Sequence, residues 1–412
     1  MTGHNLRRAR IARITPPTLR TIEHTHGRSA TWLELFYDLA FVVVVAVLGQ
    51  RLHGDISWTG LGSFTGYFSL LWWLWASHTF YADRYDTDDL IYRLFATAQI
   101  VAVLVIAAAL TSGPAESPMA FSAGYASARL VMLALYARVY RHVAETRRLV
   151  GGYLVGFGLA AALWTGSIFA PEARFALWAV ALTIDLATPW VMRRQQASVP
   201  LDVSHLPERF GLFTILVLGE SLAAVMVGLR HLDWALGPVL AATFGVGVAT
   251  ALWWLYFDNA EGSVVRRRET DRRTWRPTAW IYTHLPLAAA LAVVGVALEH
   301  AVTEASHWGM DQSHRWLLIG AVMLALSAMA LIQVASLTHP KGSLNRAIAL
   351  NRLAALPFLL LIGSLGDPSP LMVLLGVLGV CVAVLIADMA AWDRADEGGP
   401  QDAVEGDTSV LL

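Results

Sequence analysis

Blocks of about twenty consecutive apolar residues, recurring along the whole chain, constrain this sequence more than any other feature. At 1.5 Å per residue, about twenty helical residues span the roughly 30 Å hydrocarbon core of a bilayer. Twelve such blocks are read at 31–50, 58–80, 90–111, 119–141, 149–170, 173–192, 208–229, 234–257, 277–298, 314–336, 346–365 and 369–391. They are continuous, whereas a β-barrel strand alternates apolar and polar residues over about ten positions. Composition agrees, with 56% hydrophobic and 15% charged residues in a chain of 412; soluble domains average roughly 45–50% and about 25%. The expected fold class is an all-α polytopic membrane protein of about twelve transmembrane helices.

The basic residues set a direction. Twenty-four of the thirty fall in the tails, loops and adjoining block ends of one side, and four (Arg51, Arg174, Arg230 and Arg315) on the other. Arg129 and Arg352 fall inside spans. The expectation is a multi-pass plasma-membrane protein with both termini cytoplasmic. Residues 1–30 form a basic tail with six arginines and no apolar core, so no cleavable signal peptide is expected. Residues 393–412 are acidic and poor in large apolar side chains, and are expected to be disordered. The segment "RRRETDRRTWR" (266–276) reads as the strongest topology anchor, with anionic headgroups as the alternative partner. Nearly all basic residues are Arg, with Lys341 the exception, which suggests a GC-rich bacterial source.

A net charge of −1 gives no bulk field for nucleic acid, and none is expected as a partner. A single cysteine, Cys381, excludes an internal disulfide and a cysteine metal cluster. No cofactor and no metal are expected. Membrane lipids are the evident partners, and a homo-oligomer is left open.

The second half of the chain echoes the first. "SLLWWLWASHTFYAD" (69–83) aligns with "ATALWWLYFDNAEGS" (249–263), pairing Trp72-Trp73 with Trp253-Trp254. "IDLATPW" (184–190) aligns with "ADMAAW" (387–392), pairing Asp185 with Asp388, and Asp38 in "LFYDLA" falls opposite Glu220 in "VLGESLA". Two parallel six-helix repeats are expected, at 31–192 and 208–391, related by an axis along the membrane normal. Both Trp pairs fall toward cytoplasmic ends, where aromatic belts belong.

The phrases "WLELFYDLAFVVVVAVL", "WWLWASHTFYADRYDTDD", "HLPERFGLFTILVLGES" and "YTHLPLAAALAVVG" together resemble the bacterial low temperature requirement A (LtrA) membrane protein family. The likeness runs from Thr31 to Trp392. It implies a multispanning plasma-membrane protein and supplies no substrate. The layout is also similar to the lysosomal two-repeat potassium channels, whose first helix carries R-x-x-x-F-S-D; here Trp32 stands in place of the Arg and Tyr37 in place of the Ser.

Ionisable residues inside a membrane mark pathways, relays or helix pairing. By helical rise, Asp38, Asp185, Glu220 and Arg352 come out roughly 10–18 Å from the cytoplasmic ends of their spans. Asp388 is shallower and Arg129 near the middle. Three readings compete. In the first, Asp38, Glu220, Glu34, Asp185 and Asp388 bind a small cation or a proton, with Arg129 and Arg352 as counter-charges, in a secondary transporter or ion-conducting protein. In the second, the same charges hold helices together in a non-transporting protein with a scaffold or membrane-state role, including one in cold growth. In the third, His78, Asp83, Asp86, Asp258 and His284 serve an enzyme; no metal spacing, phosphate loop or G-x-S-x-G motif supports it, and no enzyme is expected. Glu34, one turn from the start of its helix, reads as a headgroup contact favoured by the helix dipole. Asp38 is the strongest candidate, with Glu220 as its counterpart.

Overall fold

The computed structural model describes residues 14–20, 30–86, 88–113, 116–196, 199, 205–230, 235–259, 275–336 and 342–397. A helix covers each of the twelve apolar blocks. The first half comprises α1 (Trp32–Gly54), α2 (Trp58–Arg84), α3 (Leu90–Ser112), α4 (Pro118–His142), α5 (Arg147–Phe169) and α6 (Arg174–Val191). The second comprises α7 (His205–Leu229), α8 (Leu236–Phe257), α9 (Trp275–Thr303), α10 (Gln312–Ala335), α11 (Gly342–Ala354), α12 (Leu356–Gly363) and α13 (Pro370–Glu397). The eleventh block is split into α11 and α12 where Pro357 follows Leu356, because proline lacks the amide that would continue the ladder. Most of the basic 266–276 segment and residues 398–412 lie outside the described residues.

Local chemistry sets the helix starts. Thr31 and Glu34 form a reciprocal capping box on α1: Glu34 N donates to Thr31 Oγ1 at 3.3 Å, and Thr31 N to Glu34 Oε2 at 2.7 Å. Ser57 caps α2 and Asp89 caps α3 through their side-chain oxygens. The basic tail is partly docked: Thr18–Leu19 pair antiparallel with Tyr85–Asp86, and Arg138 donates to Asp89 and to the Thr15 carbonyl. At the other terminus α13 runs to Glu397, so residues 393–397 of the expected disordered tail are helical.

Among the described residues, ten helical segments are long and apolar enough to cross a membrane, α11 and α12 counting as one; α2 and α6 are not among them. For α2 the reason is visible. Every residue from Leu70 to Arg84 is buried, so this part of the helix is wrapped in protein on all sides. Ser77, His78, Thr79, Asp83 and Arg84 meet other side chains there and not hydrocarbon, which removes the pressure for an apolar sequence. This corrects the aromatic-belt reading of Trp72 and Trp73. Both are in the core, Trp72 against Trp75 and Phe210, and Trp73 against Phe80 and Tyr282. Trp253 and Trp254 are 43% and 44% exposed, as outward-facing residues should be.

The halves share part of their packing order, but the second also packs α8 on α9 and on α13, contacts that the first half does not match. In the first, α1 packs on α2 and α3, α3 on α4, α4 on α5, and α5 on α6. In the second, α7 packs on α8 and α9, α9 on α10, α10 on α11, and α11 on α13. The halves meet where α1 and α2 touch α7 and α9. Close approach of α5 and α6 depends on Gly152 and Gly156: a Cβ there would sit 2.3 Å from Met192 Cε and 2.2 Å from Thr188 Oγ1. Small residues four apart are what lets two membrane helices come together.

Candidate functional site

The junction between the halves holds a cluster of buried ionisable groups. α1 supplies Glu34 and Asp38, four residues apart and so on one face. α2 supplies Trp75 and Asp83, and α7 supplies His205 and Arg209, again four apart. None of the six is more than 2% exposed. Arg209 Nη2 donates to Asp38 Oδ1 at 2.7 Å and Trp75 Nε1 donates to the same oxygen at 2.8 Å. Arg209 Nη1 lies 3.6 Å from Glu34 Oε2. His205 sits between two carboxylates, Nδ1 3.1 Å from Asp83 Oδ1 and Nε2 3.4 Å from Glu34 Oε2. Both ring nitrogens thus face a carboxylate oxygen. Asp38 Oδ2 is buried and has no hydrogen-bond partner among the described residues.

Glu34 is therefore inside this cluster and not at the headgroups. Glu220 is elsewhere. It lies eleven residues beyond Arg209 on α7, about 16 Å along the axis at 1.5 Å per residue. It is half-buried and has no hydrogen bond or ion pair among the described residues. The pairing of Asp38 with Glu220 in sequence thus does not become a pairing in space, because α1 presents Asp38 to the interior and α7 presents Glu220 partly outward.

The remaining candidates form two closed pairs, one in each half. In the first, Arg129 Nη2 meets Asp185 Oδ2 at 2.7 Å with neither side chain exposed. Arg129 Nη1 also donates to Ser77 Oγ at 3.1 Å, and its guanidinium lies 5.6 Å from the ring centres of Tyr125 and Phe157. In the second, Arg352 Nη2 is 3.6 Å from Asp388 Oδ2, while Asn351 donates to Asp388 Oδ1 at 2.9 Å. Arg352 donates in addition to the carbonyls of Met329 and Leu255 at 3.0 and 2.7 Å. The two arginines read as counter-charges each have an aspartate.

Among the enzyme candidates, Asp83 belongs to the junction cluster. His78 stacks on Tyr37 with centroids 4.1 Å apart and bonds the Tyr92 hydroxyl at 3.2 Å. His284 contacts the Tyr256 hydroxyl at 3.1 Å and the Trp280 carbonyl at 2.7 Å, which accounts for both of its nitrogens. Asp258 accepts from Trp254 one turn before it. Asp86 enters through its backbone pairing with Thr18. No group of three or more His, Cys, Asp or Glu among the described residues is arranged to hold a metal ion.

His205, Arg209 and Trp75 escape a reading by hydropathy. The seventh apolar block starts at 208, so His205 falls before it, and Arg209 counts as one of the basic residues that set topology. The signal was the run "HLPERFG", where His205 and Arg209 share the spacing of Glu34 and Asp38.

The helical bundle and its buried charges define a multi-pass integral membrane protein. The chain belongs to the family described as Bacterial low temperature requirement A protein (LtrA), which it matches over residues 29–387. It is similar to a protein of Rhizobium meliloti (strain 1021) named Uncharacterized protein RA0937, with 26% identity over 337 residues, covering 77% of this chain and 80% of the relative. No solved structure matches.

Proposed function

We propose that this protein is a secondary transporter or ion-conducting protein that binds a proton or small cation at Asp38. The observation that carries the reading is Asp38 Oδ2, a buried carboxylate oxygen with no donor among the described residues, in a cluster of three acids, one arginine and one histidine. A buried carboxylate oxygen that lacks a donor among the described residues calls for a proton or a cation. Its location adds support, since secondary transporters place such sites where two repeats meet. The reading takes the twelve helices as twelve spans in two parallel six-helix repeats, with both termini on the cytoplasmic side of the plasma membrane. Glu220 serves as a second carboxylate along the route. No enzymatic step, resident metal or cofactor is assigned; surrounding lipids are partners and assembly with further copies is compatible.

The alternative is a non-transporting membrane protein whose buried charges fix helix packing. The closed pairs Arg129–Asp185 and Arg352–Asp388 favour it, because neither leaves charge over. The two readings separate in proteoliposomes. Wild-type protein is expected to carry protons or a monovalent cation, and Asp38→Asn with Glu220→Gln to abolish flux at unchanged folded yield. Absence of any flux from the wild type, with a double mutant that is merely less stable, refutes transport.

A further inference from the structure

We propose that Arg84 forms the floor of a binding site for a small monovalent anion, in a cleft between the two halves of the bundle. The cleft is small, with a free volume of about 20 Å³. Arg84 and Phe80 of α2 line one wall, Tyr153 of α5 and Gln196 another, and Thr278 and Ile281 of α9 close it from the second half.

Arg84 is the reason to expect an anion. It is 4% exposed, yet its contacts are weak: Nε donates to the Val199 carbonyl and Nη2 to Gln196 Oε1, both at 3.4 Å. Among the described residues no carboxylate is within ion-pair distance of it, in contrast to Arg129, Arg209 and Arg352, each of which has one. The neighbouring Asp83 is engaged by His205 at 3.1 Å, and one residue along a helix points about 100° away. Among the described residues, then, this buried guanidinium has long hydrogen bonds to neutral groups and no carboxylate at ion-pair distance. The open side of the cleft is where a counter-charge can come from.

The lining limits what fits. One guanidinium balances a single negative charge. The hydroxyls of Tyr153 and Thr278 and the Gln196 amide supply further donors, while Phe80 and Ile281 suit a polarisable halide or a methyl group. The class is therefore a halide or a short carboxylate, and not a divalent phosphate. An anion here sits one residue from the acid cluster, so its charge acts on the same groups that hold the proton. Binding requires no flux, so this site and the transport reading stand or fall separately.

The test uses the full chain purified in detergent, with ionic strength held by sulfate, titrated calorimetrically with chloride, bromide or acetate. Saturable binding by the wild type is expected, weakened at least about tenfold in Arg84→Gln, the size of one charge-assisted hydrogen bond, and less so in Arg84→Lys. The halide and acetate arms show which source of the charge the cleft prefers. No saturable binding of any of the three anions, or the same affinity in Arg84→Gln, overturns the proposal. Should Arg84→Gln fail to fold, anomalous diffraction from bromide-soaked wild-type crystals decides: bromide beside Arg84 supports the site, and bromide bound only elsewhere overturns it.

Discussion

The Arg129–Asp185 pair gives the sharpest quantitative test of how these charges are held. Both side chains are fully buried and their closest atoms are 2.7 Å apart. Changing Asp185 to Leu leaves a guanidinium with Ser77 Oγ and the faces of Tyr125 and Phe157, none of which carries charge. Breaking a buried pair by removing one partner costs about 3–5 kcal/mol. The cation–π contacts, worth on the order of 0.5–2 kcal/mol each, already exist and cannot compensate. Arg129→Met is expected to cost a similar amount by leaving the carboxylate alone. The double mutant Arg129→Met/Asp185→Leu removes both charges and replaces them with apolar bulk, so it should return to within about 1–2 kcal/mol of the wild type. A melting shift of about 2–4 °C per kcal/mol in 150–250-residue domains shrinks with size. Each single change should therefore lower the melting temperature by roughly 4–10 °C, on that scaling, and the double should recover most of it. The measurement is intrinsic tryptophan fluorescence on heating, in detergent, for the four proteins of the cycle. A double mutant that melts at or below the worse single would show that the two residues are not coupled and that the pairing is wrong.

Two further outcomes are expected. Gly156→Leu should prevent α5 and α6 from closing, because Thr188 occupies the space, and should lower folded yield; Gly158→Leu should be tolerated, since nothing lies within 4 Å of its Cβ position. Equal yields for the two would refute the close α5–α6 contact. Asp311, the N-cap of α10, has its carboxyl held below the usual carboxylate range, first by the Ser313 backbone N–H. A lowered folded pKa means the stabilisation is present above the unfolded value of about 3.9 and is lost as pH falls through the folded value. Asp311→Ala should thus melt below the wild type at pH 6, by the equivalent of about 0.5–2 kcal/mol, and the gap should close toward pH 3. A gap that is the same at both pH values would contradict the cap.

The bundle was legible because lipid imposes a simple demand: a helix facing hydrocarbon must be apolar for about twenty residues. The same logic hides whatever does not face hydrocarbon. α2 is surrounded by protein from Leu70 to Arg84, so its sequence is free to be polar and its tryptophans look like belt residues when they are core. Arg209 illustrates a second limit. Counting basic residues toward topology treats one at the start of an apolar block as loop, yet this arginine is drawn into the interior by Asp38 and Glu34. The carboxylates were found from Asp and Glu within apolar runs, and Glu34, Asp38, Asp185 and Asp388 are buried. Their partners were not found, because pairing is set by how helices pack across 171 residues of sequence between Asp38 and Arg209. The alignment of Asp38 with Glu220 failed in space for a related reason. Periodicity reports which residues share a helix face, and only packing decides which face turns inward.

The placement of the arginine–aspartate contacts made by Arg129, Arg209 and Arg352 carries an argument of its own. Arg129–Asp185 joins α4 to α6 and Arg352–Asp388 joins α11 to α13, so each lies within one half. Arg209–Asp38 joins α7 to α1 and crosses between them. Any movement of one half against the other leaves the first two pairs intact and must disturb the third. The crossing pair also lies beside two further acids, Glu34 and Asp83, and Asp38 Oδ2, like Asp185 Oδ1, has no donor among the described residues. Protonation of Asp38 would weaken its hold on Arg209 while the internal pairs keep each half rigid. Under the transport reading proposed above, a proton arriving at Asp38 and a change in the junction between the halves would be two sides of one equilibrium, the coupling that alternating access requires.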